Sequence, residues 1–426
     1  MLRKAVLLVA VSWMLGAQEK GQQFASLGDL KLESGEVIRD CRIGYRTFGR
    51  LDASSSNAIL FPTWFGGTTA QLADSFGSGK LIDSGRYFVI AVDAIGNGVS
   101  TSPSNSKTQP RMKFPRFSIR DMVQSQHRLV TEVLHLNRLR AVVGISMGGM
   151  QTFEWMAMYP DFMDRAIPIV GSPRLMPFDV LLWQAEVHAI EADANWKNGD
   201  YTARPAAAMR TVSDIHNLAL ATPAWYGRQN AGKDMSAVLA SSEKALLDQA
   251  DPNDYYRQLQ AMLGHDVFRQ FGGDQKRAAA AVKAKVTVIV STQDHMVNPG
   301  PALEWARLLN APIVELNGDC GHIVTGCEAP KVATAVARAL RQGSDFFDLD
   351  HFGHHLGGYR LLRLLPQRIL KITDPFAQPF GQFRNFLSPE QQHGDPEDHQ
   401  QFRHTERFHP NTSLSLRRFH CNLRYP

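Results

Sequence analysis

At 426 residues with 44% apolar side chains, the chain is long enough for a large buried core and an inserted segment. Its formal charge of +5 comes from 46 basic and 41 acidic residues. That balance is mild, and no Lys/Arg block is dense enough for a nucleic-acid surface, so nucleic acid is not an expected partner.

The N-terminus reads as a signal peptide. Met1-Leu2-Arg3-Lys4 is a short basic start, and residues 5–15 are apolar but too short to span a bilayer. Leu15-Gly16-Ala17 supplies small residues ahead of a cut before Gln18. The spacing predicts a signal at 1–17 and a mature protein that is exported, periplasmic or secreted, with no stable membrane insertion after cleavage. An uncleaved anchor is the alternative.

Short β-like segments follow at 37–45, 57–61 and 87–92, each closed by a turn rich in Gly, Pro or Asp. Residues 119–136 have helical spacing, with Met122, Leu129, Val130, Val133 and Leu134 on one side. A buried strand is expected at 139–143, then a helix, then a strand at 165–170. This alternation predicts a doubly wound, mostly parallel sheet, the first part of an α/β core at 18–172. From 173 to 283 no strong strand is visible and helical stretches such as 180–195 and 235–249 dominate, which reads as an inserted helical lid. The core resumes over 284–343, with strands at 286–290 and 313–316 and a helix at 329–341. The segment 344–426 holds eight of the fifteen histidines and little periodicity, and is expected to be a disordered tail. His351, His354 and His355 in it read as solvated, so no metal site is expected.

The chemistry sits at Gly144-Ile145-Ser146-Met147-Gly148-Gly149. A G-x-S-x-G run between a buried strand and a helix holds a serine on a strained turn at a helix N-terminus. Small residues two places either side allow strand and helix to pass closely. Such a serine needs a base, and the base needs an acid to set its tautomer. In a doubly wound hydrolase the chain order is Ser, then Asp or Glu, then His. Asp294 ends the strand 286–290 region, and His322 follows the next strand. Asp319 is too near His322 for the usual two-loop arrangement. Glu304 reads as helix surface, Asp274 falls in the lid, His295 points away, and His127 and His135 read as packing or surface. Two backbone donors are expected for an oxyanion: the amide of Met147 and that of Trp64, in Pro62-Thr63-Trp64-Phe65-Gly66-Gly67. Cys320 and Cys327 straddle His322. They either form a disulfide or stay as free buried thiols.

With these residues in hand, the chain resembles the homoserine O-acetyltransferase family of α/β-hydrolase-fold enzymes over most of 27–341. The resemblance is carried by Tyr45-Arg46-Thr47-Phe48-Gly49, Phe114-Pro115, Ile119-Arg120-Asp121-Met122-Val123, Gln126-His127-Arg128-Leu129, Ser146 to Gln151 with Glu154-Trp155, and Asp251, Asn253 and Tyr255. It implies acyl transfer through an acyl-serine on Ser146, Asp294 and His322, and a homodimer paired through the lid. The departures bear on substrate. The family's Asp after the catalytic His, which holds the substrate ammonium, is here Ile323. Arg210 matches the family's carboxylate-binding Arg, but the accompanying Tyr is Asn217. The expected function is hydrolysis of small carboxylic esters, with no cofactor. The alternative is O-acyl transfer to an alcohol, with acetyl-CoA or another acyl-CoA as co-substrate. A third reading is a catalytically dead binding protein.

Overall fold

Residues 20–341 are described in the structure, a computed structural model. The expected signal at 1–17 and the tail at 344–426, with its histidines, lie outside the described residues. Among the described residues nine strands form one sheet: β1 (Lys20–Lys31), β2 (Val37–Phe48), β3 (Ala58–Pro62), β4 (Phe88–Val92), β5 (Leu139–Ile145), β6 (Met163–Ile169), β7 (Lys285–Val286), β8 (Val288–Ser291) and β9 (Ile313–Leu316). Their order is β1-β2-β4-β3-β5-β6-β8-β9, with β7 beside β6. The pairs β1–β2 and β2–β4 are antiparallel, and every pair from β4–β3 onward is parallel. The central strands are apolar throughout because helices cover both faces, as in β3, where all five residues are buried.

The doubly wound sheet agrees with the sequence expectation, and β9 and the helix Ala329–Arg341 keep the predicted bounds. Strand β1 was not anticipated. Two irregularities around Gly28 interrupt its pairing with β2, so its apolar residues lose a strict period of two. The predicted helix at 119–136 also stops early. Its α-helical part is Ile119–Arg128, and a π-turn over Leu129–Val133 closes it, with Leu134 N–H donating to the Leu129 carbonyl at 3.0 Å.

The segment between β6 and β7 is helical, as the broken strand pattern requires. It contains helices Pro177–Ala192, Ala206–Leu220, Pro223–Asn230, Met235–Gln249, Pro252–Leu263 and Gln275–Ala281. The helix Pro252–Leu263 returns to the core and is buried along most of its length. It carries polar anchors. Gln258 donates to the Ile95 carbonyl at 3.0 Å and accepts from Gly66 N–H at 2.9 Å. Asp254 accepts from Ser104 N–H at 2.8 Å and from Ser104 Oγ at 2.5 Å. Past its end, the buried His265 donates to the Ser172 carbonyl at 3.0 Å; burial drives its imidazole down to about 4, so it is neutral.

Burial pushes the Asp254 carboxyl up to about 7, against the Ser104 hydrogen bonds, which pull it down. Between its unfolded value and about 7 the native state therefore binds more protons than the unfolded chain, so this group's contribution to stability falls as pH rises through that window. Asp254→Asn keeps acceptor and donor partners for Ser104 without the buried charge. The variant is expected to melt above the parent at pH 8, with the two curves converging by pH 4. A parent that melts higher at pH 8 would show that the charge is stabilising.

Candidate active site

Ser146 lies where β5 turns into the helix Met147–Met158. Its backbone is strained, with φ 58° and ψ −121°. The turn is possible because the crossing residues have no side chains. A Cβ on Gly144 would sit 2.1 Å from the Gly148 carbonyl oxygen, and one on Gly148 would sit 2.6 Å from the Pro62 oxygen. Residues Met147 to Ala157 are all buried, so the helix is enclosed by packing on nearly every side, which opposes any shift that would relieve the turn.

The parallel sheet sends the ends of β3, β5, β8 and β9 to one edge. There the structure brings together three of the predicted residues. His322 Nε2 is 2.8 Å from Ser146 Oγ, and His322 Nδ1 is 2.7 Å from Asp294 Oδ2. The other Asp294 oxygen accepts from the backbone N–H groups of Met296 and Val297, both at 2.9 Å. Those two donors fix the orientation of the carboxyl group. Asp294 and His322 are both buried.

The competing residues lie elsewhere. Asp319 pairs with Arg228 of the lid at 2.5 Å, and its carbonyl accepts from Thr222 Oγ1. Glu304 pairs with Arg174 at 3.3 Å, and Asp274 caps a lid helix. His295 is exposed, and His127 stacks on Tyr159 with centroids 3.9 Å apart.

The turn that carries His322 is held on two sides. Gly321 packs on the lid, where an added Cβ would be 3.2 Å from Ala221 Cα. Cys320 and Cys327 are joined in a disulfide, resolving that alternative, and Cys41 is a buried free thiol. Ile323 is half-buried against an apolar cluster that also takes up Trp64 and Trp225 at its edge.

Met147 is the first residue of its helix, so its N–H has no intrahelical acceptor. Trp64 follows Thr63, whose carbonyl accepts from Gln151 Nε2 at 3.0 Å. Gln151 in turn accepts from Gln126 at 2.5 Å, and Trp155 Nε1 donates to Gln126 at 2.7 Å. Two of the separated sequence motifs of the family resemblance, Gln126-His127-Arg128-Leu129 and Ser146 to Gln151 with Glu154-Trp155, thus join in one buried chain of hydrogen bonds beneath the loop 62–67. Two further supports went unread in the sequence. Gln258 holds Gly66 from the lid. Asp93, fully buried at the end of β4, accepts from Thr69 N–H at 2.8 Å and from Asn97 at 3.0 Å, and Asn97 donates to the Gly67 carbonyl at 2.9 Å. An Asp closing a run of apolar strand residues was the available signal for Asp93; Gln258 had none.

Arg210 is the predicted site residue that the structure does not bring to this group. Its side chain is 53% exposed, with Nε 4.0 Å from Glu243. It sits two helical turns before Asn217 on Ala206–Leu220, at the end of that helix away from the His322 turn. Asn217 is half-buried and lines a cavity with Trp64 and Phe65.

Comparison with known proteins places this geometry. A family model described as alpha/beta hydrolase fold matches residues 59–325. The chain is 32% identical over 312 residues to an ethyl acetate hydrolase of Pseudomonas veronii, covering 71% of this chain and 89% of that protein. It is 31% identical over 320 residues to a homoserine O-acetyltransferase of Chloroherpeton thalassium, covering 70% and 84%. The solved structure of an acetylester hydrolase from Corynebacterium glutamicum superposes with a TM-score of 0.72 at 30% identity, covering 75% of this chain and 96% of that one. The chain belongs to the α/β-hydrolase fold family, in its homoserine O-acetyltransferase-like group, and is an enzyme.

Non-reducing peptide mapping should recover Cys320 linked to Cys327 and Cys41 alkylated only after denaturation. Replacing both bridged cysteines by serine is expected to cost about 2 kcal/mol, the entropy of so short a loop. Recovery of Cys320 and Cys327 as free thiols would contradict the bond.

Proposed function

We propose that the protein is a serine esterase that hydrolyses small carboxylic esters through an acyl-serine. The observation that carries this is the continuous relay from Ser146 Oγ through His322 to Asp294. His322 takes the serine proton as Oγ attacks the ester carbonyl, then delivers it to the leaving alcohol. Asp294 holds the imidazole with Nδ1–H toward itself, leaving the Nε2 lone pair for the serine. The amides of Met147 and Trp64 receive the developing oxyanion. Water, activated by the same His322, releases the acid. No cofactor enters these steps.

Ser146→Ala should lower ester turnover by about 10⁴-fold or more with the fold intact. Asp294→Asn should be severely impaired, while Asp319→Asn stays within a few-fold of the parent. The reverse ranking would reassign the acid.

Acyl transfer to an alcohol, with acetyl-CoA as co-substrate, is the second reading, favoured by the likeness to homoserine O-acetyltransferases. Against homoserine as acceptor stand the apolar, half-buried Ile323 and the displaced Arg210, which leave its ammonium and carboxylate without charged partners. An unpaired buried charge costs several kcal/mol. With acetyl-CoA and homoserine supplied, little or no O-acetylhomoserine is expected. Formation at about 1 per second or faster would restore the biosynthetic role. Export is part of the proposal: residues 1–17 and the disulfide beside His322 both suit an oxidising compartment. Pairing of two copies through the lid is supported by the exposed Phe178, Leu181 and Leu218 on its helices.

A further inference from the structure

The loop 62–67 is fastened to the sheet at Thr63. Thr63 N–H donates to the Val92 carbonyl at 3.0 Å, and Thr63 Oγ1 accepts from Ala94 N–H at 3.0 Å. The Thr63 carbonyl accepts from Gln151 Nε2 at 3.0 Å. Beyond Thr63 the chain turns. Gly67 N–H donates to the Trp64 carbonyl at 3.0 Å, and Gly66 holds φ 65° at the third place of that turn, where glycine is favoured. The tip of the turn, Phe65 and Gly66, meets the inserted helices. The Phe65 ring packs on Tyr255 and Trp183, with centroids 4.4 and 6.0 Å apart. Gly66 N–H donates to Gln258 Oε1 at 2.9 Å, and Gln258 Nε2 donates to the Ile95 carbonyl at 3.0 Å.

Gln258 is buried, whereas Gly66 is exposed. The partners of Gln258 are two backbone groups, one a donor and one an acceptor, so its side-chain amide has a single satisfied orientation. A glycine at the third place of a turn allows the peptide before it to point its N–H to either face. The apolar packing of Phe65 has no direction and does not choose between them. A hydrogen bond does, and Gln258 supplies it. With Thr63 held on the sheet and Gly66 held by Gln258, Trp64 is pinned between two fixed points. A backbone donor held this way keeps its aim, and hydrogen bonds weaken steeply when aim is lost.

We propose that Gln258 is a positioning residue for ester hydrolysis: from the inserted segment it holds the turn 64–67 so that the Trp64 amide meets the oxyanion of the transition state. This rests on the esterase reading, and Gln258 itself touches no reacting atom. The test uses para-nitrophenyl acetate, with kcat counted per serine titrated by a phosphonate ester. Gln258→Met keeps the side-chain length and removes both hydrogen bonds; water reaches the exposed Gly66 N–H, so the fold should survive. Its kcat is expected to fall about 10-fold or more, part of the roughly 100-fold that a missing oxyanion donor costs, with KM within about 2-fold of the parent.

Trifluoroacetone gives a second readout. Ser146 Oγ adds to its carbonyl carbon, the serine proton passes to His322, and the carbonyl electron pair moves to the oxygen. Its affinity should fall in Gln258→Met by the same factor as kcat/KM. Tyr256→Phe removes a hydrogen bond to Glu191 from the same helix without touching the loop, and should leave kcat and KM near the parent. Gln258→Glu keeps an acceptor for Gly66 N–H and should retain most of kcat; it carries the test if Gln258→Met does not fold. Unchanged kcat in Gln258→Met, a change confined to KM, an equal loss in Tyr256→Phe, or a loss of about 10-fold or more in Gln258→Glu overturns the positioning role alone. No nitrophenolate release by the parent overturns the esterase reading and this role with it.

Discussion

The close crossing of β5 and the serine helix is the constraint on which the site depends. Gly144 and Gly148 approach until a single methyl group on either would collide with backbone. Ser146 is then forced to a positive φ that a side-chain-bearing residue rarely adopts. Packing holds that strain. The strand before it and the helix after it are buried along nearly their whole length, and Thr152 Oγ1 ties the Gly148 carbonyl from one turn further on. The same bare Gly148 lets the Pro62 carbonyl approach, which brings the loop bearing Trp64 beside the start of the helix. One steric condition therefore places Ser146 and the loop 62–67 together.

The remaining parts are positioned by polar groups buried between lid and core. Such groups are costly unless they find partners, and here they find partners at fixed points. Gln258 spans from the Ile95 carbonyl to the Gly66 amide, so the helix Pro252–Leu263 is tied directly to the loop 62–67. Gln126, Gln151 and Thr63 do the same from beneath. On the far side, Thr222 and Arg228 bind the Asp319 segment, and the disulfide closes the turn around His322. The inserted helical segment thus braces both the loop 62–67 and the turn that carries His322.

The departures from the acetyltransferase pattern acquire a physical meaning in this setting. Ile323 belongs to an apolar cluster, and the lid helix that carries the displaced Arg210 offers the cavity a half-buried imidazole and an amide instead. Ile323 stands where the acetyltransferase pattern has an Asp, and Asn217 where it has a Tyr.

Local pattern determined much of the outcome from sequence alone. The alternation of apolar strands with helical spacing, the break in that pattern at 173–283, and the glycines around Ser146 are each consequences of nearest-neighbour sterics and periodicity. Those features led to the doubly wound sheet, the lid and the three residues Ser146, Asp294 and His322. Strand β1 escaped because bulges spoil its period. Only the tertiary structure decided the disulfide, the outward course of Arg210 along its helix, and the partners of Asp93 and Gln258. For these two side chains the reason is the same. Asp93 binds Thr69, 24 residues away, and Gln258 binds Gly66, 192 residues away. A polar side chain in a sequence carries no mark of the distant group that will satisfy it, and that pairing exists only once the lid has folded back onto the sheet.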